Sequence, residues 1–135
     1  MRSVRNGWKA DIRTVSSRAM RTAFSRPEAI SRIGLAKHLL RSAGLPHRAE
    51  ELSDDQPVYE MDDGRMGSFS FEPSHQVSRP SVQATYTDDD DVDVHITLYV
   101  RDDDQPAEVE LWKVNFERLI SFPSPNQVKD VRVLS

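Results

Sequence analysis

The sequence predicts an α+β fold: one or two N-terminal helices packed on an antiparallel meander sheet of five strands, or six if the tail joins it. Three observations carry this. Val92, Val94, Ile96, Leu98 and Val100 alternate with Asp93, His95, Thr97 and Tyr99, the period-2 pattern of a strand buried on one face. Asp102-Asp103-Asp104-Gln105-Pro106 breaks the pattern, and residues 108–116 read as a return strand. Upstream, Ile30, Ile33, Leu35, Ala36, Leu39, Leu40 and Ala43 recur at the spacing of one helix face.

The helix is predicted over residues 27–43. Ser25 stands at the N-cap with Glu28 three residues on, the spacing of a capping box, and Pro27 falls in the first turn, where a missing N–H costs nothing. Gly44 supplies a left-handed stop, followed by Leu45 and Pro46. The helix should bury Ile30, Ile33 and Leu40 against Val94, Ile96 and Leu98. A short helical turn can follow over 48–52. Residues 57–61 and 66–71 form a hairpin around Asp62-Asp63-Gly64-Arg65, since Asp-Gly between alternating segments is a strong turn signal. Residues 72–80, with Pro73 and Pro80, read as a loop, and Val82, Ala84 and Tyr86 mark a third strand. The tail over 121–135 fits either a docked extension or a sixth strand. In a meander, the turns at 62–65 and 88–91 fall at one end of the sheet and the turn at 102–106 at the other.

Composition divides the chain. Residues 1–26 carry seven basic residues against Asp11 alone, while the rest is strongly acidic and the whole has a net charge of -4. The expected organisation is a basic arm over 1–24, a single domain over 25–120 and a C-terminal extension over 121–135. The arm is read as a poorly ordered leader or a loose amphipathic helix, with Val4, Trp8, Ile12, Val15 and Ala19 at three- and four-residue spacing. It lacks the apolar core of a secretory signal. The acidic body would repel phosphate, which argues against nucleic acid as a partner. No apolar run approaches the roughly 18 residues of a membrane span.

Without cysteine there is no disulfide, thiolate metal site or Cys nucleophile. The histidines His38, His47, His75 and His95 show no metal-ligand spacing. The run Asp88-Asp89-Asp90-Asp91 fails as a calcium loop, because Val92 and Asp93 fall where an oxygen donor and a glycine are required. No nucleophile elbow or glycine-rich phosphate loop occurs. No cofactor and no catalytic residue is therefore expected. Gly67 is assigned to local backbone geometry or to close packing beneath the helix. Trp112 breaks the parity of its strand: it is either core, or part of an exposed aromatic patch with Tyr99.

The segment Met61-Asp62-Asp63-Gly64-Arg65-Met66-Gly67-Ser68, with Glu110-Leu111-Trp112-Lys113-Val114-Asn115-Phe116 far downstream, resembles a small bacterial family of unknown function. That family has a D-G-x-M-G-S hairpin and a closing E-L-x-x-W-K-V-x-F-like strand, which is compressed here to L-W-K-V-x-F because Leu111 directly precedes Trp112, where the family often has one or two more residues. The resemblance covers about residues 27–123. It implies a bacterial cytoplasmic protein and no particular chemistry.

A small, acidic, cysteine-free domain with no catalytic pattern reads as a non-enzymatic binding protein. Its concrete form is an immunity-type protein that neutralises a cognate toxin through protein–protein contact. The candidate partner-binding residues are Asp62, Asp63, Asp88, Asp89, Asp90 and Asp91 at one end of the sheet, and Tyr99 and Trp112 on its face. The acidic end would steer a basic partner electrostatically. The competing readings are a regulatory or structural module, and a metal-dependent hydrolase using the same carboxylates.

Overall fold

A computed structural model describes residues 21–134. The arm's proposed amphipathic helix, residues 4–19, lies outside the described residues. Helix α1, Arg26–Ser42, begins at Ser25 and leads into α2, Pro46–Glu51. Two short strands follow, β1 (Tyr59–Glu60) and β2 (Phe69–Ser70). Three long strands come next: β3 (Arg79–Thr87), β4 (Asp93–Val100) and β5 (Pro106–Lys113). A single 3-10 turn at Pro125–Gln127 precedes β6, Lys129–Val133.

The end of α1 follows the sequence closely. Gly44 takes φ 80°, its N–H bonds the Arg41 carbonyl, and the Leu45 N–H reaches back to Leu40 at 2.9 Å. This is the paired bonding that closes a helix on a left-handed glycine. The start differs from expectation. Ser25 Oγ donates to Glu28 Oε1 at 2.8 Å, so the two capping side chains bond each other and neither caps backbone. Ile30 also departs from the expected core, being 40% exposed, whereas Ile33, Leu35, Ala36, Leu39 and Leu40 are buried.

The sheet is antiparallel throughout, with six strands in the order β1-β2-β5-β4-β3-β6. This corrects the meander. Only β3, β4 and β5 run as one, and the β1–β2 hairpin docks on the far side of β5, so residues 71–78 must cross two strands to reach β3. The tail supplies the sixth strand, pairing Val133 with Val82 and Arg132 with Gln83. Because every pairing is antiparallel, β1, β3 and β5 run in one direction. The turns after β1 and β3 therefore still share an end.

The hairpin is looser than expected, with two-residue strands and a connection over 61–68. Asp63 organises it by accepting the Met66 and Ser68 N–H groups, each at 3.0 Å. Residues 21–24, which the sequence assigns to the arm, are tied to this edge. Ala23 bridges Tyr59, the Phe24 N–H bonds Val58, and the Glu60 N–H bonds Thr22. One core fills the space between the helices and the inner face of the sheet, where Val82, Ala84, Tyr86, Val94, Ile96, Leu98, Val109 and Leu111 pack under α1.

Candidate functional site

The inward row of β5 runs Val109, Leu111, Lys113, so a lysine occupies a core position at the end of the sheet. Its side chain is fully buried. Burying an ammonium is costly unless partners surround it. Nζ lies 2.8 Å from Asp88 Oδ2 and 2.8 Å from Asp90 Oδ2, and donates to the Arg118 carbonyl at 3.3 Å. Asp88 is also buried and accepts the N–H groups of Asp89, Ile120 and Ser121 at 2.8 to 3.1 Å. Burial alone would raise the Asp88 pKa. Lys113 and the three amides outweigh it and hold the carboxyl below its ordinary range. Burial likewise works to lower the Lys113 pKa, yet Asp88 and Asp90 leave it raised. Both directions describe an ionised pair. Tyr86 completes the cluster, donating to the Ser121 carbonyl at 2.8 Å; burial, then the Asp88, Asp89 and Asp90 charges, raise its pKa and keep the phenol neutral.

This cluster clamps residues 114–121 across the end of the sheet. The same segment reaches the hairpin, where the Leu119 N–H bonds the Arg65 carbonyl at 2.9 Å. The two acidic turns are thus brought to one end, as their strand directions require, but their carboxylates do different work. Asp88 and Asp90 share the single cation of Lys113, which offsets one of their two charges. Asp63 is taken up by backbone amides; burial raises its pKa despite the Ser68 and Met66 bonds. Asp62, Asp89 and Asp91 remain exposed. Clustered carboxylates facing a metal are not what this geometry offers, and among the described residues no three His, Asp or Glu groups converge to hold one.

On the opposite face, β5 presents Glu108, Glu110 and Trp112 opposite Tyr99, Thr97 and His95 of β4. Trp112 is not core. It is 41% exposed, with its ring 5.5 Å from His95 and 5.8 Å from Phe116. The broken parity has a simple origin, because Val114 and Phe116 lie beyond the strand end at Lys113. Phe116 sits in a turn closed by its N–H on the Lys113 carbonyl, at φ 63°, and is 71% exposed. Tyr99 lies at the other end of the row and donates to Glu110 Oε1 at 3.3 Å. The structure therefore joins Trp112 to His95 and Phe116 and leaves Tyr99 apart.

Sequence reasoning missed Lys113, His95 and Phe116. Lys113 shares the parity of Val109 and Leu111, a signal of inward placement that was available. His95 shares the outward face with Trp112, but only the strand register puts the two rings opposite. Nothing in the sequence marks the left-handed conformation of Phe116.

Among the described residues no helix is long and apolar enough to cross a membrane. Residues 25–123 match a family model described as a domain of unknown function, DUF6984, and the chain belongs to that family. The matched stretch coincides with the one expected for an uncharacterised family. No curated protein and no solved structure matches the chain.

Proposed function

Starting from membership of a family without assigned chemistry, we propose that the chain is a non-enzymatic protein-binding module that docks through the aromatic corner of His95, Trp112 and Phe116. The observation that carries this is Phe116, held exposed and left-handed beside Trp112. A left-handed conformation costs a bulky residue on the order of 1–2 kcal/mol, and exposure of the ring returns nothing to the fold. Strain and exposure combined on one aromatic fit a contact residue, and Trp is enriched among the residues that dominate interfaces. Exposed Asp91, Asp93 and Glu117 flank the corner in sequence and favour a basic partner face. The concrete form is an immunity-type protein of a bacterial cell, placing this corner against the basic substrate groove of a cognate toxin. The hydrolase alternative has less to draw on, since Asp63, Asp88 and Asp90 are engaged by backbone amides and by Lys113.

The test uses Phe116→Gly. A structural phenylalanine would destabilise the fold when removed, whereas here glycine relieves the left-handed strain. Stability in urea should hold or rise by about 1 kcal/mol. Calorimetric affinity for the product of the neighbouring gene should fall about tenfold or more, as should that of Trp112→Ala. Unchanged affinity in both variants would sink the corner as the docking site. No binding by the wild-type protein would sink the toxin-neutralising form of the proposal.

A further inference from the structure

The two edges of the sheet are finished differently. At β1 the edge is occupied, since Ala23 bridges Tyr59 while Phe24 and Thr22 bond Val58 and Glu60. At the other edge β6 pairs only with β3 among the described residues, and all five of its residues are exposed. The Leu134 N–H bonds the Ser81 carbonyl at 2.8 Å, so alternation turns the backbone groups of Val133, and of Val131 two residues before it, to the open side. Val133 lies opposite buried Val82 and belongs to the helical face, yet Val133 is 54% exposed and Val131 41%. On the outer face Arg132 lies opposite Gln83, and Asp130, at φ 54°, accepts from Thr85 Oγ1 at 3.0 Å. Among the described residues neither Asp130 nor Arg132 has an ion-pair partner.

We propose that the open β6 edge pairs with β6 of a second copy of this chain, the two strands running antiparallel about a two-fold axis at Val131 so that the sheets join edge to edge. Charge selects this occupant. In Lys129-Asp130-Val131-Arg132-Val133, antiparallel pairing centred on Val131 sets Asp130 of each copy opposite Arg132 of the other. Both side chains stand on the outer face, and the two-fold makes the pair occur twice. Sliding one strand by two residues keeps the faces but sets Asp130 against Asp130, or Arg132 against Arg132, and like charges directly opposite repel. Edge charges ordinarily deter pairing; these deter the neighbouring registers and leave one. On the helical face the same register places Val131 against its symmetry mate, covering apolar surface that is exposed in a single copy. β3 and β4 separate this edge from β5, so the inference does not depend on what the aromatic corner binds.

Sedimentation equilibrium of the full-length chain tests this. The parent should form a reversible dimer. Arg132→Asp makes each Asp130 face a carboxylate and should raise the dimer dissociation constant about tenfold or more. High salt should recover part of the loss in that variant, because it screens the repulsion. Asp130→Lys should weaken the dimer likewise. Mixing the two variants should restore association as a one-to-one heterodimer, since every opposed pair then carries opposite charges. Two chains that are each monomeric alone and dimeric together cannot owe their monomeric state to misfolding. If lysine is not tolerated in the left-handed position, which circular dichroism will show, Arg132→Asp and its salt response decide the question. A parent that stays monomeric at every concentration would overturn the proposal. So would a dimer that Arg132→Asp leaves unchanged, which assigns the contact to another surface, or two folded variants that do not associate on mixing.

Discussion

Gly67 takes φ +102°, and a Cβ built there would lie 2.8 Å from Leu119 Cδ2 and 3.3 Å from Leu111 Cδ2. Both the backbone and the space demand glycine. The neighbour is a residue of segment 114–121 and not a helix, so the sequence-based expectation of close packing was right in kind and named the wrong element. Gly34, inside α1, is the opposite case: nothing lies within 4 Å of its Cβ position. Gly67→Ala should therefore cost about 1–3 kcal/mol through crowding and strain. Gly34→Ala should add about 1 kcal/mol through helix propensity. Urea titration of the two variants checks both signs. A stable Gly67→Ala protein would mean that Leu119 does not lie over the hairpin.

At the scale of elements, the sequence was most legible where local chemistry decides. Pro27 and Gly44 bracket α1, and alternation marks β3, β4 and β5. It was least legible where partners are distant in sequence. Nothing in Phe69-Ser70 says that β2 pairs with β5 and not β3, since side-chain parity specifies a face and never a neighbour. The site shows the same limit. Lys113, a core-parity residue, finds Asp88 twenty-five positions away, and that pairing fixes residues 114–121 and the aromatic residue they carry. Lys113→Met keeps the volume and removes the charge. It should release the amides of Ile120 and Ser121, whose acceptor Asp88 loses its counter-ion, so that their hydrogen exchange accelerates about tenfold or more relative to β4 amides. Unchanged protection at those two positions would show that the segment is held by packing of Leu119 and Phe122 alone.

For the whole molecule, the buried pair ties global stability to pH. Asp88 is ionised below the ordinary carboxyl range when folded. Its stabilising contribution is thus complete above the unfolded value near 3.9 and is lost as pH falls through the folded pKa. Lys113 is displaced upward, so its contribution is complete below the unfolded value near 10.4 and is lost as pH rises through the folded one. Asp63, raised by burial, acts in the opposite sense to Asp88, favouring the folded state at low pH and losing that contribution as pH climbs through its folded pKa. Asp88→Asn isolates the acid limb. The substitution leaves a neutral amide facing Lys113 and should cost about 3 kcal/mol at neutral pH, the range for breaking a buried pair. As pH falls through the folded pKa of Asp88, the wild-type carboxyl takes up its proton and becomes nearly isosteric with the amide. The difference between the two proteins should then shrink toward zero. Urea midpoints of wild type and Asp88→Asn across the acid range measure this directly, and a gap that stays constant would mean that the Asp88 carboxyl is not ionised in the folded protein.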